Sequence, residues 1–214
     1  MNEVVIIAKN EIKNCNTTGD IRKLSANLYK SIDDKTINNI FAVCEEILEE
    51  HDWTMNIIAF DFAHRMKKYY DEGTFTIFES WLEKYVRGWG DCDDFCTHAF
   101  GELITQKPEL VSHTVDWTKR KEFWMRRAAA VVLIPSIRKM KYNESDIFQI
   151  SDILMNDKHK LVVSGYKWIL REFSQKEPEL VFDYLMKNKD VMPRYAYRYA
   201  MQKLDDEKKR VLLQ

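Results

Sequence analysis

The chain has 214 residues with a net charge of −1, and it is 45% hydrophobic and 13% aromatic; it can bury a substantial core and is too apolar to stay disordered. Only six Gly and four Pro occur and strand-like alternation is missing, which sets aside β architectures in favour of an all-helical chain. No apolar run approaches membrane-spanning length, and the neutral balance sets aside a chain that attracts polyanions by bulk charge.

In chain order, residues 2–14 read as a first helix. Glu3 and Lys9 flank its apolar patch and no cleavage site follows, so it is expected to be a first helix rather than a signal peptide. Asp20 can cap a second helix, with Ile21, Leu24, Leu28 and Ile32 at helical spacing. Asp33 and Asp34 break it. A third helix over about 35–49 carries Ile40, Phe41, Cys44, Ile47 and Leu48 on its apolar side. A fourth, over 53–69, starts at Trp53, and a fifth, over 74–86, lies between Gly73 and Gly88. The spacing of Cys92, Phe95, Cys96, Ala99, Phe100 and Leu103 predicts one continuous helix over 91–106. Pro108 opens a short helix. The next runs over about 120–134, where Pro135 should kink or stop it. Pairs follow at 144–155 and 158–175, then at 178–188 and 193–204, with a short tail helix.

The second helices of successive pairs begin near Trp53, Trp89, Lys121, Lys158 and Met192, at intervals of roughly 33–38 residues. A fixed period with two helices per unit marks a helical solenoid, in which stacked neighbours supply the core. The expected fold is a right-handed superhelical array of HEAT-like pairs forming a single domain over 1–214. Its second helices fall near 53–69, 89–106, 120–135, 158–175 and 192–204. Basic residues cluster on second helices, among them Lys121, Arg126, Arg127, Lys167 and Arg171, whereas Glu45, Glu46, Glu49 and Glu50 share a first helix. The positive charge is therefore expected on the concave wall. The alternative is ordinary solvated helix faces.

The four cysteines, Cys15, Cys44, Cys92 and Cys96, read as reduced thiols of a cytoplasmic protein. No His or Cys pair has metal-ligand spacing. Three segments carry candidate chemistry. In the first, Trp89 and Asp93 lie one turn apart on a face beside the buried stripe. They suit a base or a sugar, or else an ordinary helix start with Asp91 as the N-cap and Trp89 as packing, the reading that acidic first turns favour for this stretch alone. The second holds Phe123, Trp124, Arg126 and Arg127, the last at the edge of a stripe formed by Ala128, Val131 and Val132. The third holds Lys167 and Trp168, with Arg171 one turn on.

In this order and spacing the three segments resemble the AlkD-like branch of the DNA alkylation repair family, HEAT-like arrays that excise N3- and N7-alkylated purines. The family pattern of a Trp, three residues and an Asp is matched by Trp89 and Asp93; its Arg-Ala-Ala signature is matched at Arg127; its Gly-x-x-Trp-x-Leu-Arg-Glu run places Trp168. The likeness covers roughly residues 40–204. It implies a monofunctional glycosylase with Asp93, Trp89, Trp168 and Arg127 as catalytic residues. Arg127, Arg126, Lys167, Arg171, Trp124 and Lys121 would bind alkylated double-stranded DNA. It further implies no metal, no cofactor, no deep base pocket, no membrane and a monomer acting at the bacterial nucleoid. Two positions depart from the pattern: Pro135 stands where relatives place a lysine, and Tyr29 lies in a different helix from their N-terminal tyrosine. The other readings of the same array are a catalytically silent DNA-structure or lesion binder and a HEAT-type protein-interaction scaffold.

Overall fold

The computed structural model describes residues 2–214. They form helices and connecting turns, with no strand among them, in two compact units over 2–103 and 104–214.

The first unit contains α1 (Glu3–Glu11), α2 (Thr18–Ser31), α3 (Ile37–Leu48), α4 (Trp53–Arg65), α5 (Gly73–Lys84) and α6 (Trp89–Thr97). Helix α4 is its centre, packed against α2, α3 and α6. It is apolar around most of its circumference, and Met55, Ile57, Ile58, Ala59, Phe60, Phe62 and Ala63 are all buried, as expected of a helix enclosed by neighbours. An aromatic cluster seals it to α5 and α6. Phe60 stacks on Phe95 at 4.2 Å, and Phe78 meets Phe95 and Phe100 edge-on. Each such ring contributes about 1.5–3 kcal/mol through burial.

Helix α7 (Ala99–Gln106) leads to the second unit, which contains α8 (Val111–Trp117), α9 (Phe123–Val131), α10 (Ile134–Arg138), α11 (Glu144–Leu154), α12 (Lys160–Ser174), α13 (Pro178–Lys187), α14 (Arg194–Ala200) and α15 (Asp206–Leu213). Here the centre is α12, which packs against α9, α11, α13 and α14. Its stripe of Val162, Val163, Tyr166, Ile169, Leu170 and Phe173 is buried. Small residues bring α9 and α12 together: Ala128, Ala129 and Ala130 are fully buried, and a methyl group at Gly165 would touch the Arg127 Cγ at 3.4 Å.

The second helices of pairs begin at Trp53, Trp89, Phe123, Lys160 and Arg194, so the repeat read from the sequence is present. One expectation is corrected and a second is narrowed. The helix predicted over 91–106 begins at Trp89 and breaks at His98, whose φ and ψ are −122° and −94°. The Thr97 hydroxyl donates to the Asp93 carbonyl at 2.6 Å, and the His98 Nδ1 lies 2.8 Å from the Asp94 carbonyl. Side chains thus compete for acceptors that would carry the helix onward. Of the kink or stop expected at Pro135, the structure shows the stop. The preceding helix ends at Val131, and Pro135 occupies the second position of α10, where a missing N–H is harmless. Among the described residues no helix is long and apolar enough to cross a membrane.

Candidate functional site

The site in the first unit is set by two helix starts. Helix α3 ends as His51 takes a left-handed backbone with φ 52°. The chain then turns into α4, where Asp52 caps the helix by accepting from the Thr54 and Met55 amides at 2.7 and 3.3 Å. Trp53 is consequently the first helical residue, and it stays 56% exposed.

Helix α6 starts in the same way. Gly88 is its N-cap, and Asp91 is the third helical residue rather than the cap considered from sequence. The Asp91 carboxylate reaches back to the Arg87 and Gly88 amides, both at 3.0 Å, which satisfies N–H groups that the helix leaves open. Trp89 takes the first position with 57% exposure. Asp93 follows one turn later and is half-buried.

Trp53, Trp89 and Asp93 all line one cleft of about 790 Å³, together with His51, Asn56, Tyr85, Asp94 and His98. Its wall beside Asp93 is tied down by ions. Arg22 on α2 pairs with Asp61 on α4 at 3.4 Å and closely with Asp94 on α6, while the Ser25 hydroxyl donates to Asp61 at 2.5 Å. Burial raises the Asp94 carboxyl above the usual carboxylate range, against the opposing pull of Arg22. Nearby, burial and then the Lys67 ammonium lower the His64 imidazole to about 4.

The second unit holds the other candidates. Arg127 is 4% exposed and donates to the Leu161 carbonyl at 2.5 Å; it is inside the α9–α12 contact rather than at its edge. Arg126 pairs with Asp157 at 2.6 Å and donates to the carbonyls of Arg120 and Lys121, fastening the turn before α9. Trp124 is half-buried and meets Phe123 edge-on, and Lys121 is exposed. The Trp168 indole N–H donates to Glu172 at 3.0 Å. Burial pulls the Glu172 carboxyl up, but bonds from Arg138 and Trp168 hold it below its ordinary value. Lys167 lies 4.5 Å from the Tyr199 ring centre and Arg171 5.3 Å from it. Both are placed as cation–π partners along α12 and α14.

The sequence pattern of the DNA alkylation repair enzyme family matches residues 15–204. The chain belongs to the DNA alkylation repair enzyme family. Three solved structures are similar to this DNA alkylation repair family member. A protein from Enterococcus faecalis, described as a predicted DNA alkylation repair enzyme, superposes with a TM-score of 0.72 at 16% identity, covering 95% of this chain and 96% of its own. AlkD2 from Streptococcus mutans gives 0.68 at 19% identity, covering 95% and 100%. The smu.31 protein from Streptococcus mutans UA159 gives 0.67 at 19% identity, with the same coverage. Their shared fold is the all-helical array of HEAT-like pairs. No curated protein matches the chain in sequence.

In this family member the structure brings Trp89 and Asp93 to one cleft in the first unit and α9 against α12 in the second. Sequence reasoning passed over Trp53, Asn56, Asp94, Tyr195 and Tyr199. A signal existed for Trp53, which holds the same first-turn position as Trp89 one repeat earlier. The run Arg194-Tyr195-Ala196-Tyr197-Arg198-Tyr199 was another, since it alternates cations with rings. Asp94 gave none, because its role depends on Arg22, which is distant in the chain.

Proposed function

We propose that this protein is a monofunctional DNA glycosylase that hydrolyses the N-glycosidic bond of N3- and N7-alkylated purines in double-stranded DNA, acting as a cytoplasmic monomer. The observation that carries this reading is the half-buried Asp93 beside the exposed Trp89 in one cleft, both aimed by the Asp91 capping contacts. An alkylated purine is cationic, so its bond to the sugar is already weakened. As that bond breaks, its electron pair leaves with the base and positive charge develops at the sugar carbon. The Asp93 carboxylate stabilises that charge, and it orients a water that adds to the carbon and gives up a proton. Trp89 packs against the deoxyribose. Lys121, Lys167 and Arg171 supply phosphate contacts. Arg126 and Arg127 contribute less to this grip than the family resemblance implies, because their donors serve the second unit's own backbone and Asp157.

The test is release of 7-methylguanine and 3-methyladenine from methylated duplex DNA, run beside Asp93→Asn. Release by the parent and its loss in the variant, with DNA affinity kept, supports the proposal. Equal loss of release and binding would assign Asp93 to the fold. The commitment of Arg126 and Arg127 inside the protein favours, as the second reading, a HEAT-type interaction scaffold. Absence of salt-dependent DNA binding would select it.

A further inference from the structure

Helix α6 is short, and its roll about its own axis decides where Asp93 points. The Asp91 back-bonds to the Arg87 and Gly88 amides fix its first turn and leave the roll to its neighbours. Asp94 follows Asp93 at about 100° round the helix, and its carboxylate meets α2. There the Arg22 guanidinium pairs closely with Asp94 and at 3.4 Å with Asp61 on α4. The Arg22 and Asp94 side chains are only 24% and 11% exposed, so the pair is largely withdrawn from water. Thr18 lies one turn before Arg22 on the same face of α2 and lines the same cleft as Asp93. The two partners of Arg22 differ in what else supports them. Asp61 also accepts from the Ser25 hydroxyl at 2.5 Å and from the Arg65 Nε at 2.9 Å. Asp94 has far less. Its Oδ2 is buried with no hydrogen-bond partner among the described residues, and the His98 ring stands 3.7 Å from its Oδ1. Burial pushes the Asp94 carboxyl up; Arg22 opposes this most, His98 next, while Asp61 and Asp91 add to the push. Loss of Arg22 therefore falls on Asp94, the residue beside Asp93.

We propose that Arg22 is a positioning residue for Asp93: by clamping Asp94 to α2 it fixes the roll of α6 and aims the Asp93 carboxylate at the sugar. The proposal rests on the glycosylase reading. Arg22 acts through Asp94 and not on the substrate. A buried ion pair is a weak source of net stability, but it admits few geometries, and a reaction that depends on aim responds strongly to a small displacement. The planar guanidinium spans carboxylates on two helices, whereas a lysine ammonium would hold one of them.

A double-mutant cycle on the rate tests the clamp. Single-turnover release of 7-methylguanine from methylated duplex DNA is measured at saturating protein, well below every variant's melting temperature, with DNA affinity read by fluorescence anisotropy. Arg22→Met and Asp94→Ala are each expected to slow release about tenfold or more while DNA affinity is kept. The double variant should be no slower than the worse single one, because both substitutions break the same clamp. Arg22→Lys should recover part of the rate, since its ammonium can still hold Asp94. A lower melting temperature in Arg22→Met is expected as well, and with an unchanged rate it would make the pair structural only. Should Arg22→Met not fold, Arg22→Gln takes its place in the cycle, keeping a donor and removing the charge. The parent's rate in the Arg22 variant, multiplied losses in the double variant, or equal loss of rate and DNA affinity would overturn the clamp. With Asp93-dependent release by the parent, those outcomes remove the clamp alone. A parent that binds the DNA and releases nothing removes the glycosylase and, with it, the role of Arg22.

Discussion

Arg127 shows how burial changes what a charged side chain is for. A guanidinium that is 4% exposed and bonded to the Leu161 carbonyl holds two helices together before it meets any ligand. Arg127→Ala leaves a cavity and removes a donor from the half-buried Leu161 carbonyl, and it is expected to destabilise the protein by about 2–4 kcal/mol. Chemical denaturation measures this. Lys167→Ala is expected to leave stability nearly unchanged and to weaken DNA binding, since its ammonium lies over the exposed Tyr195 ring and the half-buried Tyr199 ring. His64 carries a pH dependence. Its folded value of about 4 lies below the ordinary 6.5, so as pH falls the unfolded chain takes up the proton first. The neutral imidazole's contribution to stability is therefore present above about 6.5 and lost progressively from there down to about 4. His64→Asn should flatten the fall in melting temperature across that window.

Among the elements, α6 has the most leverage because its first turn aims both Trp89 and Asp93. Asp91→Ala removes the back-bonds to Arg87 and Gly88 and is expected to destabilise by about 0.5–2 kcal/mol, with a larger proportional loss of base release as the two side chains swing. Gly165 in α12 offers the opposite case. A methyl there meets the Arg127 Cγ at 3.4 Å and Val131 at 3.6 Å, an ordinary contact distance. Gly165→Ala should therefore be neutral or raise stability by up to about 1 kcal/mol, whereas Gly165→Val should lower it. The start of α6 was half legible in the sequence. Gly88 and Asp91 announced a helix start, but whether Asp91 caps from in front or reaches back from the third position depends on backbone angles that composition does not carry. The break at His98 was hidden because the apolar stripe runs through it without interruption. The competing bonds of Thr97 and His98 to carbonyls appear only in three dimensions.

For the whole molecule, the repeat was legible because helices within each unit bury their stripes against their neighbours, which forces a regular spacing of apolar residues and turn signals. The division into two units left no mark, since no linker or shift in composition accompanies it. The cleft was legible only at Trp89 and Asp93; Trp53, Asn56 and Asp94 reach it through the packing of α2, α4 and α6. The neutral net charge of −1 limits the DNA grip to local cations. If Lys121, Lys167 and Arg171 make the three proposed phosphate contacts, the expected slope is about −3 in log affinity against log salt. A fluorescence-anisotropy salt titration checks this, and a slope near zero would remove DNA as the partner. The measurement that bears most directly on function is base release from methylated duplex DNA by the parent protein and by Asp93→Asn. The expected result is release of 7-methylguanine and 3-methyladenine by the parent and a loss of about a hundredfold or more in the variant, with unchanged DNA affinity. The contradicting result is equal release by both proteins, or none by a parent that binds the same DNA.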